Sequence, residues 1–507
     1  MVQPILPLSL VRHSGIPLVA QVANRVRELV STGVLRPGVR VPSIRALAAD
    51  AGLARGVVES AYDQLIAEGW LTARRGAGTY VAEVGHLPAA AVATATTAAT
   101  AAAATENRPP ASAGAARPGP VQFDTGTPWL DPRHNAGWRR AWREVSAAQI
   151  PPGYPDPAGI PELRAELAGY VARTRGLSCS VSEVLVTGGA THGLALLLDV
   201  LGPGAVAIED PGYRAAVAVT EQAGRLVVDV PVDVEGIDVR ALRTNSTEIR
   251  VVYVTPAHQH PLGITMSAGR RVALLAEAKR RAALVVEDDY DSEFRYDVAP
   301  LPALAALDRD RVVYLGSASK SVHPGLRFGW MVAPPELIRA MVERRAARHD
   351  HPAWPVQRAF LAMLRGGHVD RLVRSARRVY AQRSEIVVRA LSPYGRIGMP
   401  VAGMYVTLQL PGPTAEAVRD ECVRAGFDLP SLADYSRSSR LTGLVIGFGG
   451  VTGDQLSAML DVLTATLARV DHRNKAGFSV SLTPETPQSS DDQLGGVPED
   501  ETNVRDH

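Results

Sequence analysis

The sequence predicts a multidomain protein in which an N-terminal module of three helices and a β-hairpin precedes a large α/β domain with a mostly parallel central sheet. Three observations predict this fold class. The chain has 507 residues, more than one hydrophobic core usually organises. Its composition changes near residues 85 and 120. From residue 121 onward, short β-branched runs alternate with amphipathic helical segments, as in parallel sheets covered by helices.

These changes in composition divide the chain into four parts. Residues 1–85 are periodic and rich in Arg, and residues 121–470 form the large domain. The segment 86–120, rich in Ala, Thr and Pro, predicts a flexible linker because it offers few large apolar side chains to bury. The polar segment 471–507 predicts a disordered tail.

Overall composition limits the possible classes of protein. No apolar run is long enough to span a membrane and the N-terminus lacks a signal-peptide pattern, so we expect a cytoplasmic protein. The cysteines, Cys179 and Cys422, are far apart and predict neither a metal site nor a disulfide framework. A net charge of +2 excludes attraction of the whole molecule to nucleic acid, so any DNA contact requires a local basic patch.

The first 85 residues predict a helix-turn-helix followed by a hairpin. PLVAQVANRVRELVS places apolar residues on one helical face, and the helix stops at Gly33. Ser43 can cap a second helix in IRALAADAGL, and LARGVVESAYDQLIAEGW predicts a third. WLTARRGAGTYVAEV alternates apolar and polar residues around Gly76 and Gly78, as a two-stranded hairpin does.

VPSIRALAADAG and EGWLTARRGAGTYVA resemble the GntR family of bacterial regulators, over about 65 residues. The resemblance implies a winged helix-turn-helix that binds operator DNA, with phosphate or base contacts at the helix starts and the wing. The residues expected at the DNA are Ser43, Arg45, Arg55, Arg74, Arg75, Gly76, Gly78 and Thr79.

Nine Arg against six acidic residues give segment 1–85 a charge of about +3, which supplies the local patch. The segment departs from the family at Ala54, Gly56 and Val57, where hydroxyl residues are usual, so fewer groups are available to read bases. The alternative is a winged helix used only for protein contacts.

Lysine is almost absent from the chain. Of 54 Lys and Arg residues, only Lys279, Lys320 and Lys475 are lysine. Because Arg serves nearly everywhere that a cation is wanted, a retained Lys indicates a need for its primary amine. Lys320 follows the apolar strand VVYLG, so its amine is expected at the strand end, where such sheets bind ligands. A desolvated amine has a lowered pKa and can form an imine with an aldehyde.

Other strand ends carry the groups that an aldehyde cofactor, pyridoxal 5′-phosphate (PLP), requires. GGATHG at 188–193 offers backbone N–H groups to a phosphate at a helix start. VVEDDYDSEF offers an acid for the pyridine nitrogen, and Tyr213 offers a stacking face. Taken singly, a strand-end Lys is more often an ion-pair partner and an Asp-rich turn a solvated loop. Their order along the chain favours a PLP site.

The stretch 121–470 resembles the class I and II aminotransferases of PLP fold-type I. The resemblance implies that Lys320 is the catalytic residue that forms the internal aldimine and that Asp288 binds the pyridine nitrogen. It places the remaining cofactor contacts at Tyr290 for the ring hydroxyl, Tyr213 for ring stacking, and Arg327, Ser317, Ser319, Gly189, Ala190 and Thr191 for the phosphate. Tyr154 matches a tyrosine that reaches the phosphate of the neighbouring subunit, which implies a homodimer.

A GntR-type module joined to this domain is typical of the MocR subfamily, and TPAHQHPLG and EDDYDSEFRY resemble its motifs. Two departures matter. His260 begins the run His-Pro-Leu-Gly where an aromatic residue and Pro-Thr-Gly are common, so the ring environment differs. Val445, in LVIGFG, occupies the position of the arginine that binds the substrate carboxylate in aminotransferases. Valine cannot form that bidentate pair.

We therefore expect a dimeric, PLP-dependent DNA-binding transcription regulator that senses PLP itself or a PLP-reactive amine or amino acid. Members of the subfamily respond to PLP and control vitamin B6 synthesis, or respond to GABA, taurine or a D-alanyl compound. Val445 favours PLP itself and argues against efficient aminotransferase turnover. The alternative is an active aminotransferase that carries a DNA-binding head, with Arg437 or Arg440 in place of the missing arginine.

Overall fold

The computed structural model describes residues 17–74, 78–83, 119–296, 302–399 and 401–479, together with positions 6, 8, 10 and 11. The N-terminal unit, residues 17–83, is called the head. Its elements are α1 Leu18–Ser31, α2 Ile44–Asp50, α3 Arg55–Ala67, β1 Leu71–Arg74 and β2 Gly78–Val81.

The head is the winged helix-turn-helix that the sequence predicts. The side chain of Ser43 caps α2 by accepting a hydrogen bond of 3.2 Å from the N–H of Ala46. The strands β1 and β2 pair antiparallel, with Leu71 opposite Val81. The apolar faces of α1 and α3 are buried together, so periodicity located the small core correctly.

The described residues from position 119 onward form the large domain. Its helices are α4 Asn135–Ala147, α5 Pro161–Arg175, α6 Ala190–Val200, α7 Arg214–Gln222, α8 Val239–Thr244, α9 Ala268–Arg280, α10 Pro335–Ala347, α11 Trp354–Arg365, α12 His368–Leu391, α13 Gly412–Arg424 and α14 Gly453–Ser479. Its strands are β3 Val121–Gln122, β4 Val184–Thr187, β5 Ala205–Asp210, β6 Val227–Asp233, β7 Gly236–Ile237, β8 Ile249–Val254, β9 Leu284–Asp289, β10 Val312–Ser317, β11 Gly329–Val332, β12 Arg396–Ile397, β13 Tyr405–Gln409, β14 Phe427–Asp428 and β15 Gly443–Gly447.

Eight strands form the central sheet in the order β4-β11-β10-β9-β8-β5-β6-β7. Strands β10, β9, β8, β5 and β6 pair parallel, whereas β11 and β7 run antiparallel to their neighbours. The sheet is thus mostly parallel, as predicted. Because parallel strands end at the same edge, the carboxyl ends of β5, β8, β9 and β10 meet there.

Both faces of this sheet are buried, which explains why its strands are continuous apolar runs. In β4, Val184 and Val186 belong to one core cluster and Leu185 to the cluster on the opposite face. A further core lies in the C-terminal part, where β12, β13 and β15 pack with α12, α13 and α14. The helix α14 continues to Ser479, past the domain end at about 470 that the sequence predicts.

The head packs against the large domain. Ala268 and Val272 of α9 belong to the same buried cluster as the head core. The backbone N–H of Ala268 donates to the carbonyl of Glu68 at 3.3 Å, and the side-chain amide of Asn24 donates to the carbonyl of Gly176 at 3.4 Å. The contact therefore involves the end of α3 that lies opposite to Arg55. None of the helices in the described ranges is long and apolar enough to cross a membrane.

Candidate functional site

The turns at the carboxyl edge of the central sheet surround a cavity of about 420 Å³. The sequence-predicted residues that line it are Lys320, Asp288, Tyr290, Tyr213, Arg327, Ser317, Ser319, Gly189, Ala190 and Thr191. They come from the ends of β4, β5, β9 and β10, which the parallel arrangement brings together. The structure thus gathers these ten predicted residues into one place.

Lys320 lies just beyond β10 with its amine inside this cavity. Its Nζ donates a hydrogen bond of 2.7 Å to the carbonyl of Gly126. Burial lowers the pKa of Lys320, and the nearby carboxylates of Asp124, Asp291 and Asp288 act in the opposite direction. An amine with a lowered pKa is a better nucleophile at neutral pH, which suits imine formation with an aldehyde.

Asp288, near the end of β9, has one satisfied and one unsatisfied oxygen. Its Oδ2 accepts a hydrogen bond from the hydroxyl of Tyr253, whereas its Oδ1 is buried and has no partner among the described residues. Burial raises the pKa of Asp288 to about 7. An unsatisfied buried carboxylate oxygen costs free energy unless a donor meets it. A protonated pyridine nitrogen is such a donor, so this residue fits the PLP ring.

The opposite end of the cavity is suited to a phosphate. The helix α6 begins after Gly189, whose φ of 115° is accessible to glycine, and no side chain caps its first turn. Its backbone N–H groups can therefore meet an anion. Arg327, at a φ of 48°, lines the same end. The hydroxyl of Ser317 donates to that of Ser319 at 3.0 Å, which holds the two serines together.

Neutral aromatic groups form another wall. The hydroxyls of Tyr290 and Tyr405 lie 2.7 Å apart, and Tyr290 also donates to the carbonyl of His258 at 2.9 Å. The buried His260 ring is 5.8 Å from the Tyr213 ring and edge-on to it. Burial, assisted by the charges of Lys320 and His258, lowers the pKa of His260 to about 3. His260 is thus neutral at physiological pH.

Sequence reasoning missed several residues of this site. Thr125, Gly126 and Thr127 line the cavity from the turn after β3, and Asp124 holds that turn by accepting from the N–H groups of Gly126 and Thr127. The run Asp-Thr-Gly-Thr contains residues typical of turns, so this turn could have been predicted from the sequence. Tyr253 carried no comparable signal, because it lies inside the apolar run of β8.

Three residues singled out in the sequence lie elsewhere. Tyr154 is 79% exposed and stacks on His351 with 5.1 Å between ring centroids, away from this cavity. Its contact with a neighbouring subunit stays a prediction. Val445 is fully buried in β15, opposite Thr407. Arg437 pairs with Asp229 and Glu221 at 3.0 and 2.8 Å, so its charge is already neutralised outside the cavity.

The predicted DNA-contacting residues lie at helix starts and on the hairpin of the head. Arg45 is in the first turn of α2 and Arg55 is the first residue of α3, and both are exposed. Arg74 lies over the Tyr80 ring, 4.6 Å from its centroid. Ser43 caps α2, and Gly78 and Thr79 begin β2. Arg75 and Gly76 fall outside the described residues, so their predicted contacts stay predictions.

Comparison with known proteins agrees with the folds of the head and of the large domain. Residues 122–428 match the family described as Aminotransferase class I and II, and residues 18–81 match the family described as Bacterial regulatory proteins, gntR family. The chain is 32% identical to the HTH-type pyridoxine biosynthesis transcriptional regulator PdxR of Corynebacterium glutamicum, with 90% of this chain and 97% of that protein covered.

The chain is also 31% identical to the probable rhizopine catabolism regulatory protein MocR of Rhizobium meliloti, covering 88% of this chain and 92% of that protein. Among solved structures, a Pyrococcus horikoshii kynurenine aminotransferase in complex with PMP superposes with a TM-score of 0.62. That match has 25% identity and covers 69% of this chain and 91% of the aminotransferase.

The open oxygen of Asp288, the amine of Lys320 and the uncapped start of α6 fit the ring nitrogen, aldehyde and phosphate of PLP. PLP is the cofactor of this protein. The arrangement of a GntR-type head before an aminotransferase domain extends over nearly the whole length of the named regulators. The chain belongs to the MocR-type family of transcriptional regulators.

Proposed function

We propose that this chain is a DNA-binding transcription regulator whose effector is PLP itself, and that it controls genes of vitamin B6 synthesis. The observation that carries the proposal is a PLP-type cavity whose described lining residues include no arginine besides Arg327, in a chain that also carries an exposed basic helix-turn-helix. The likeness to PdxR, named for pyridoxine biosynthesis, supports this choice of effector. A PLP-reactive amine is the next candidate.

In this proposal the residues of the cavity hold the cofactor in one orientation. When bound, PLP supplies an electrophilic aldehyde carbon and a ring that withdraws electrons. Lys320 presents its amine to that carbon, Asp288 accepts the ring N–H, and Tyr213 stacks on the ring. The first turn of α6, with Arg327, Ser317 and Ser319, holds the phosphate.

The same geometry supports the proposal that the chain turns over amino acids poorly. Transamination needs the substrate carboxylate held so that the α-hydrogen is aligned with the ring. Val445 offers no charge, and Arg437 is occupied by Asp229 and Glu221. Among the described residues that line the cavity, Arg327 is the only arginine, and the phosphate takes it. A ligand that stays bound reports its concentration, which suits a sensor better than an enzyme.

We further propose that the regulator acts as a homodimer, with Tyr154 completing the phosphate site of the neighbouring copy. Its exposure of 79% is compatible with this, because the side chain is accessible to a neighbouring copy. Two heads in one dimer would bind two half-sites of an operator. PLP would alter the placement of the heads to the extent that it binds one arrangement more tightly than the other.

The deciding experiment measures binding of the protein to labelled DNA from its own upstream region by fluorescence anisotropy, during titration with PLP. The expected result is a saturable change in DNA affinity that Lys320→Ala abolishes, because the variant retains the head and loses the amine. An unchanged affinity of the wild type across the titration would contradict PLP as effector.

Borohydride reduction of the PLP-loaded protein provides the chemical control. It is expected to fix the cofactor to the peptide that contains Lys320. A label on Lys279 or Lys475 instead would show that the cofactor amine has been assigned wrongly. With only three lysines in the chain, mass spectrometry distinguishes the three cases directly.

A further inference from the structure

A second cavity, of about 560 Å³, lies between the head and the large domain. Asn24, Arg27 and Glu68 line it from the head, and Gly176 and Arg271 line it from the large domain. Its lining shares no described residue with the cavity around Lys320. A ligand bound here would touch both units of the chain.

Arg271, in the first turn of α9, is the unusual group in this cavity. It is only 6% exposed. Its guanidinium donates to the backbone carbonyls of Met266, Pro302 and Pro256, each at 3.2 Å. Within the described ranges no carboxylate lies within 4.0 Å of it. Since a guanidinium has five N–H groups, these three bonds leave two of them for a further acceptor.

The two carboxylates that act on Arg271 through space, Glu287 and Glu68, are bonded to other groups. Glu68 forms a bidentate pair with Arg27, with both N–O distances at 2.7 Å. Glu287 accepts hydrogen bonds from the backbone N–H groups of Leu304 and Ala305, and burial raises its pKa to about 7. A buried charge is costly unless it is paired. Arg271 is therefore a buried cation with no carboxylate in direct contact among the described residues, and Glu287 and Glu68 act on it only at longer range.

The remaining charges around the cavity cancel. Arg25 pairs with Glu28 at 2.7 Å at the rim, as Arg27 pairs with Glu68 inside. The net formal charge of the residues that line the cavity is therefore the single positive charge of Arg271. Trp70 and Leu307 add apolar surface. The site thus combines one positive group with an apolar wall, which suits an organic anion.

We propose that this interdomain cavity binds a small organic anion, a carboxylate or a phosphate monoester, whose oxyanion pairs with Arg271. The apolar part of the ligand packs against Trp70 and Leu307. Because the ligand contacts α1 of the head and α9 of the large domain, its binding stabilises the docked arrangement of the two units. The chain would then have a second input, separate from PLP.

Two matched probes test the proposal on the PLP-loaded protein by isothermal titration calorimetry at low salt. Benzoate and phenyl phosphate carry the same apolar ring with a different oxyanion, and benzamide is the neutral control. The expected result is saturable one-to-one binding of benzoate, of phenyl phosphate or of both, with none for benzamide. The preferred probe identifies the oxyanion. Saturation by neither anion would overturn the proposal, as would equal binding of benzamide.

Neighbouring arginines on α9 provide the matched variants. Arg271→Gln is expected to weaken binding of the preferred probe about tenfold or more, the effect of losing a charge-assisted hydrogen bond. Arg270→Gln is expected to leave the affinity unchanged, because Arg270 pairs with Asp233 and Glu235 outside the cavity. Equal losses in both variants would contradict the assignment to Arg271.

Arg271→Gln also removes bonds to three carbonyls and could prevent folding. A rim variant, Glu28→Gln, is therefore the second test, since it removes a negative charge from the lining at an exposed position. It is expected to raise the affinity for the anion about threefold at low salt and less at high salt. An affinity unchanged at low salt would count against an anion site.

Discussion

The functional side chains of the head and of the large domain differ in how the protein surrounds them. Arg45 and Arg55 are exposed and have no hydrogen bond or ion pair within the described residues. Asp288 and His260 are instead buried and lie among tyrosines that fix their positions. DNA brings its own dense negative charge to side chains in solvent, whereas a small ligand requires a site prepared in advance. The difference predicts which substitutions act locally and which disturb the surrounding structure.

The largest effect is expected at the buried acid. Asp288→Asn leaves the pyridine N–H facing a neutral amide, and losing a charged partner in a buried site weakens PLP binding about a hundredfold. Titration of the PLP absorption band measures this. DNA affinity without PLP is expected to stay at the wild-type value, as it is for the exposed control Asp310→Asn. A parallel loss of DNA affinity would show that the two regions are not separable in this way.

Among the exposed side chains of the head, Arg55→Ala is expected to weaken operator binding about ten- to thirtyfold, the effect of one lost arginine contact.

Arg74→Ala is expected to lower the slope of log affinity against log salt by about 0.9, as one lost phosphate contact does. Anisotropy at several salt concentrations measures both. The PLP band is expected to be unchanged, and Arg36→Ala is the control for a general loss of positive charge.

The third test restores a charge to the large domain. Val445→Arg places a guanidinium at the position that the aminotransferase resemblance gives to the carboxylate-binding arginine, so transamination of a common amino acid with 2-oxoglutarate is expected to rise about tenfold in kcat/KM once the longer side chain reaches from β15 to the cavity. Val445→Met, similar in bulk but uncharged, is the control. If Val445→Arg folds and binds PLP but shows no rise, the substrate side of the cavity lacks more than this one residue.

The last expected effect concerns His260 and pH. Its pKa is lowered to about 3 in the folded protein, so between that pH and about 6.5 the unfolded chain binds a proton that the folded chain does not. Stability therefore falls as the pH falls, by up to about 1.4 kcal/mol per pH unit for one such group. His260→Phe removes this contribution.

Urea unfolding of the PLP-free wild type and of His260→Phe at pH 7, 6 and 5 measures the difference. The wild type is expected to lose stability relative to the variant at each step towards pH 5. A difference that stays constant with pH would mean that His260 binds protons equally in the folded and unfolded states, which would contradict the lowered pKa of the buried ring.

The sequence predicted those parts of the fold and site that have a local pattern. Helical periodicity located the head core, and alternation of strands and helices located the strand ends, so Lys320, Asp288 and Tyr213 were found together. Their grouping needed no distance information, because parallel strands end at one edge of a sheet.

Contacts between distant segments could not be predicted in this way. Gly126 meets Lys320 across 194 positions, and Tyr253 meets Asp288 across 35. Neither pair leaves a spacing or composition signal, since each depends on how strands and turns are finally packed. The docking of α9 against the head is a contact of the same kind. The open oxygen of Asp288 likewise becomes visible only once its neighbours are placed.

The docked end of α3 gives the head the mechanics of a lever. Glu68, just after α3, is held by Ala268, whereas Arg55 begins the helix at its free end. Arg55 lies thirteen residues before Glu68, the point at which α3 is held and which acts as the pivot. Along a helix this is a distance of about 20 Å at 1.5 Å per residue. A tilt of only about 10° at the pivot moves Arg55 by about 3.5 Å, close to the 3.4 Å rise of one base pair. A motion too small to disturb the core of either unit is thus large enough to shift α3, the helix proposed to contact DNA, by about one base pair.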